Sequence, residues 1–175
     1  MSQIILGIDP GLNVTGYGVL RAESGSLKVV EAGVVRSTAS GDLAGRLGEI
    51  HTGVREVIDS LKPAVVALEE LYSHYQRPRT AILMGHARGV ICLAAAQAGL
   101  PVQPYAATQI KKVLTGAGRA PKSQMQDAIC RELGLPSPPE PPDVADALAI
   151  ALCHYYLSRN PSLDHQDSRQ AAQGR

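Results

Sequence analysis

The chain has 175 residues of which 45% are apolar, enough for one domain with a packed core and too apolar for a wholly disordered protein. It has no Trp, no Phe and six Tyr, so the core must be aliphatic, and its three cysteines form no CxxC pair, which excludes a zinc ribbon or a disulfide framework. The net charge of +1 gives no sign by itself of a polyanionic partner.

The chain opens with "IILGIDPGLNVTGYGVL", in which an apolar run ends in an acid, Asp9, ahead of Pro10-Gly11. Strands are expected over Ile4 to Asp9, Thr15 to Ala22 and Leu27 to Val35, joined at Pro10-Gly11 and Ser24-Gly25 as an antiparallel meander. From Asp42 to Leu61 the apolar residues recur every three or four positions, which predicts an amphipathic helix ended by Pro63. "AVVALEE" is continuously apolar up to two glutamates and reads as a strand covered on both faces. Glu70 to Arg79 reads as a polar loop, followed by a helix from Thr80 to Ala98 with Gly99 as its stop. In that helix Gly85 and Gly89 are four residues apart; small residues there suit core packing ahead of a dimer interface. "PVQPY" is a short strand, Thr108 to Leu114 a short helix, and Pro121 to Leu133 a further helix with Gly134 after it. The proline-rich "LPSPPEPPD" is a stiff connector to a last helix from Asp143 to Leu157. The order is α/β, a mixed five-stranded sheet flanked by helices. It occupies a single domain over residues 1–158, with a disordered tail over 159–175. No basic segment precedes the first apolar run, and "GVICLAAAQAGL" is well short of spanning length. The expectation is a cytoplasmic protein with no membrane partner.

The charges are unevenly spread. Between Ser73 and Arg131 stand eight basic residues and one acid, a local net charge of +7 that leaves −6 for the rest of the chain. A basic face beside acids placed elsewhere is the footprint of an anion-binding surface. The acids recur at element ends: Asp9 closes the first strand, Glu69 or Glu70 the fourth, and Asp143 and Asp146 open the last helix on one face. Ligand sites of open α/β sheets lie beyond the carboxyl ends of the strands. Carboxylates gathered there repel unless a cation joins them, and hard oxygen donors select magnesium or manganese. Each acid alone has a plainer account: Asp143 as a helix cap, Asp9 as a turn former, the glutamate as a strand end. Asp146 resists this, because "VADALAIAL" is apolar on nearly every side. His154, two turns further on, is expected to pack or face solvent.

Taken together, "LGIDPG…TGYGV", "ALEELY", "GHARGV", "KSQM" and "DVADALAIAL" resemble the RuvC family of crossover junction endodeoxyribonucleases, from about Ile4 to Tyr156. The resemblance implies a ribonuclease-H-like fold, a homodimer acting on four-way (Holliday) junction DNA, and Mg²⁺ or Mn²⁺, two ions per site. It places the catalytic, metal-holding acids on Asp9, Glu69, Asp143 and Asp146, and leaves Glu70 non-catalytic. It places a junction-contacting aromatic on Tyr72, where many members have Phe, and lysines near the DNA on Lys111 and Lys122. Arg77, Arg79 and Arg119, on loops, suit contacts to the DNA backbone. The RuvA–RuvB branch-migration machinery is an implied partner. Two other readings compete. The opening hairpin looks like the phosphate-binding hairpin of actin-like kinases and ATPases, although the chain is too short for their two lobes. A non-catalytic junction-binding module would explain the basic segment but not the acids.

Overall fold

The computed structural model describes residues 2–71 and 78–161. Ten elements follow in order: β1 (Gln3–Asp9), β2 (Val14–Glu23), β3 (Ser26–Arg36), α1 (Leu43–Leu61), β4 (Val65–Glu69), α2 (Pro78–Gln97), β5 (Val102–Tyr105), α3 (Ala107–Thr115), α4 (Lys122–Leu133) and α5 (Pro142–Arg159). The strands form one five-stranded sheet in the order β3-β2-β1-β4-β5. β1 pairs antiparallel with β2 and parallel with β4, so the first and fourth strands are neighbours. The mixed α/β sheet expected from the sequence is what forms.

Local chemistry sets the element ends. Ser24 and Gly25, both at positive φ, make the two-residue turn between β2 and β3, the geometry that matches strand twist. The Asp42 carboxylate caps α1 by accepting from the Gly45 amide at 2.6 Å. Its other end stops one residue before Pro63, with Lys62 in the left-handed region. Gly116 and Gly134 close α3 and α4 in the same conformation, which glycine adopts without steric cost. Pro142 is the first residue of α5, a place where its missing amide hydrogen costs nothing.

Strand alternation divides the core into two. Ile5, Leu20, Val65 and Ala67 face one side of the sheet and pack with α3, α4 and α5. Leu6, Ile8, Val19, Val66 and Leu68 face the other and pack with α1 and α2. α5 lies across β1 and β2 with α3 and α4 against its outer side. It is buried from Val144 to Tyr155 at every position but Asp146. Among the described residues no helix is long and apolar enough to cross a membrane.

Candidate active site

The period of two that builds the core also aims the acids. Ile5 and Gly7 point towards α5, and Asp9 follows them on that face. Val65 and Ala67 do the same on β4, and Glu69 follows them. Glu70 is one residue out of phase and exposed. The ladder therefore turns Glu69, and not Glu70, to the face of Asp9, a distinction that residue chemistry leaves open. The β1–β4 register runs to Ile8 beside Leu68, so Asp9 and Glu69 come next, side by side at the carboxyl ends of adjacent strands.

Glycines bring the last two acids in. A β-carbon at Gly7 would overlap the Ala147 carbonyl oxygen and stand 2.7 Å from the Ala151 amide nitrogen. One at Gly18 would stand 2.6 Å from Leu148 Cδ2. One at Gly16 would overlap the Asp143 carbonyl and stand 3.0 Å from Asp143 Cβ. Gly16 is the ladder partner of Asp9. The bare backbone at these positions lets α5 settle directly on the sheet, with Asp143 and Asp146 beside the end of β1. The space beside these three glycines is thus filled by the chain's own helix.

The electrostatics register the crowding. Burial, followed by the charges of Glu69, Asp146 and Asp143, pushes the Asp9 carboxyl up to about 8, with Lys122 opposing. Glu69 is raised by burial and by Asp146, against the pull of Lys111. Asp146 is raised by burial, with Lys122 opposing, Asp143 adding and Lys111 opposing again. A cavity of about 280 Å³ opens here, with Glu69, Asp146, Lys111 and Lys122 around it and Ile110 and Met125 in its wall. Lys122 Nζ is 3.9 Å from an Asp146 carboxylate oxygen.

As the side chains stand, no three acids, histidines or cysteines among the described residues converge on one ligating point. Glu69 and Asp146 line the opening, and Asp9 and Asp143 stand near enough to them for their charges to act on one another. The donor set still fits a hard divalent cation: it is all carboxylate oxygen, and burial together with the neighbouring acids raises Asp9 in a way that a bound cation would oppose. A larger groove of about 720 Å³ between β3 and α1 has acids of its own, but Glu31 and Glu49 there accept hydrogen bonds from Tyr17 and Thr38.

Tyr72 and Arg77 lie outside the described residues. Arg79 is exposed in the first turn of α2, and Arg119 is exposed between α3 and α4; neither lines the cavity. His154 is buried, with Nδ1 2.7 Å from the Tyr105 hydroxyl oxygen, so it packs rather than ligates. Gly85 and Gly89 do not serve core packing among the described residues: a β-carbon at Gly89 would meet nothing within 4 Å, and one at Gly85 only Leu71 Cδ1 at 3.9 Å. Sequence reasoning misses one residue. Arg88 counts there only as a unit of basic charge, yet its Nε donates to the Glu69 carbonyl at 3.2 Å. No signal in the sequence sets it apart from the other basic residues of that segment.

Residues 5–154 match the family model described as crossover junction endodeoxyribonuclease RuvC. The chain belongs to the RuvC family. A RuvC of that description from Rhodopirellula baltica is 61% identical over 160 residues, 91% of this chain and 90% of its own length. One from Moorella thermoacetica is 46% identical over 152 residues, 87% of this chain and 90% of its own. Among solved structures, Thermus thermophilus RuvC in complex with a Holliday junction substrate superposes with a TM-score of 0.85 at 35% identity, covering 91% of this chain and 97% of that one. The RuvC fold, a ribonuclease-H-like mixed sheet with flanking helices, is therefore the fold of this chain, in agreement with the expectation drawn from its motifs.

Proposed function

We propose that the chain is a divalent-metal-dependent endonuclease that resolves four-way DNA junctions in recombination and repair, cutting as a homodimer. The observation that carries this reading is the gathering of Asp9, Glu69, Asp143 and Asp146 beside Lys111 and Lys122, in a chain of the RuvC family. The four acids would hold Mg²⁺ or Mn²⁺, two ions per site. Bound divalent ions supply Lewis-acid charge that activates a water and steadies the leaving oxygen of a phosphodiester. The chain's own part is to bring four anions to one place and to ionise Asp9 when positive charge arrives. Lys111 and Lys122, which line the same cavity, would hold phosphate oxygens and offset developing charge. Hydrolysis would leave 5′-phosphate and 3′-hydroxyl ends.

The homodimer is favoured by α2. Ile82, His86, Gly89 and Leu93 share one face of this helix, and Ile82 and Leu93 are 62% and 50% exposed. An apolar helix face of this kind suits burial against a second copy, which would present a second site to the opposing strand of a junction. Tyr72 would stack on an unpaired base, while Arg77, Arg79 and Arg119 would contact the DNA backbone. The RuvA–RuvB machinery is proposed as a partner on the family resemblance alone. A module that only binds junctions would have no use for four mutually repelling acids at its basic surface.

The test is cleavage of a synthetic mobile four-way junction titrated with Mg²⁺ and with Mn²⁺, with the cut sites sequenced. Asp9→Asn is expected to keep junction binding and lose cutting by at least about 10²-fold. Normal cutting by that variant removes Asp9 from the metal site.

A further inference from the structure

We propose that Arg88 is a positioning residue that fixes Glu69 by supplying a hydrogen bond that the sheet cannot. The inference rests on the reading of Glu69 as a metal ligand. In β4 the amides of Val66 and Glu70 donate to Pro101 and Tyr105, on the β5 side. By alternation, the backbone polar groups of Glu69 point the other way, towards β1. In a parallel ladder that carbonyl would accept from the β1 residue one beyond the Asp9 position. That residue is Pro10, which has no amide hydrogen. The ladder accordingly stops at Ile8 beside Leu68. Arg88 Nε takes over the role, donating to the Glu69 carbonyl at 3.2 Å.

The arrangement has a chemical logic. Pro10 turns the chain away as soon as Asp9 has been delivered, and so leaves the Glu69 carbonyl without a donor on the β1 side, while β5 holds the other edge through the Glu70 amide. A carboxylate on a strand end tied along one edge alone would hold a cation less firmly than one tied along both. The Arg88 guanidinium, anchored on a 20-residue helix, restrains that end from outside the sheet. Arg88 acts on the Glu69 backbone, and it need touch neither DNA nor metal to do so.

The experiment compares the full chain with Arg88→Ala and Arg88→Lys. Mn²⁺ binding is measured by calorimetry without DNA, and junction binding is measured in EDTA. Arg88→Ala is expected to weaken Mn²⁺ binding about 10-fold, the lower end for loss of a group that orients a ligand. The Mg²⁺ midpoint for cleavage should move by the same factor while junction binding in EDTA stays unchanged. Arg88→Lys, which keeps a donor, should recover part of the loss, and it alone is read if Arg88→Ala does not fold. Mn²⁺ affinity within twofold of the parent in the folded variants overturns the proposal. So does weakened junction binding in EDTA at unchanged Mn²⁺ affinity, which would make Arg88 a DNA contact. Pro10→Ala returns an N–H to the ladder, so Arg88→Ala should cost less in that background; an equal cost in both refutes Arg88 as the substitute donor. Glu69→Gln is the control. If it too leaves Mn²⁺ binding intact, it is the ligand reading of Glu69 that has failed.

Discussion

Helices α2 and α5 read alike in sequence: apolar residues run right round both, with no polar side to turn to water. Their fates differ. α5 is held between the sheet and the pair α3–α4, so its own chain covers nearly every face and leaves open its two ends, the first of which carries Asp143 and Asp146. α2 packs on α1 along one side, burying Ala87, Ile91, Ala94 and Ala95, while Ile82 and Leu93 stay exposed. An all-round apolar helix is built for burial on two sides. In α5 the second side is intramolecular. In α2 nothing among the described residues supplies it, and a second copy of the chain is the proposed occupant.

The contrast can be broken most severely from the α5 side. Gly7→Val would drive a branched side chain into the backbone of α5 at Ala147 and Ala151, where no rotamer change gives relief. A loss of about 3 kcal/mol or more is expected, at the top of the range for overpacking, read as a shift in the urea midpoint. Cleavage should fall with it, since the helix pushed outward carries two of the four acids. A Gly7→Val protein of normal stability would mean that α5 does not rest on β1 as described.

On α2 the matching insult is Leu93→Asp. Burial of a leucine contributes about 1.5–3 kcal/mol, and a twofold contact counts the loss on both copies. Sedimentation should show a dimer-to-monomer shift of at least about 10-fold in dissociation constant, with the monomer's own stability little changed. Undiminished self-association would mean that the exposed face of α2 is not what joins the copies.

A third contrast is one of sign. Burial and neighbouring acids raise the Asp9 carboxyl from 3.8 to about 8 in the folded protein. Between those values the folded state keeps a proton that the unfolded chain has released. Without metal, stability is therefore expected to fall as pH rises from about 4 to about 8. Urea midpoints in EDTA across that window check this; Asp9→Asn should flatten the slope, and saturating Mn²⁺ should reverse the loss by charging the site. Variants on the exposed face of α2 should leave the slope as it is.

Much of the fold is legible in the order of the amino acids. The alternation of β1, the continuous apolar run of β4 and the three- and four-residue rhythm of α1 report directly on which side chains leave water, so these elements fall within a few residues of their expected ends. The four acids stand out because carboxylates are costly where their neighbours are buried. What stays hidden depends on pairing. Gly7, Gly16 and Gly18 have no assigned part in the sequence beyond a likeness to a phosphate-binding hairpin until the register places α5 on them. The family resemblance names Glu69 ahead of Glu70, but the physical reason for it needs the phase of β4. Arg88 cannot be separated from the basic segment until β4 and α2 are side by side. The glycines of α2 pass for packing glycines for the same reason: sequence spacing defines a face but not what lies opposite.

Those glycines carry the smallest effect and the finest discrimination. Gly89 lies inside a helix, where Ala is favoured over Gly by about 0.5–1 kcal/mol through backbone entropy. Nothing among the described residues obstructs the added methyl. In a Leu93→Asp background, where copies are apart, Gly89→Ala should therefore stabilise the fold by about that amount in a thermal or urea melt. In the parent background the same methyl stands on the face proposed to meet the partner, between Ile82 and Leu93, where the missing side chain permits close approach. There it should raise the dissociation constant of the dimer while still favouring the isolated helix. An equal gain in both backgrounds would place Gly89 outside the contact and shift the interface along the helix. A loss in both would mean that the chain itself covers this side of α2, and the difference from α5 would disappear.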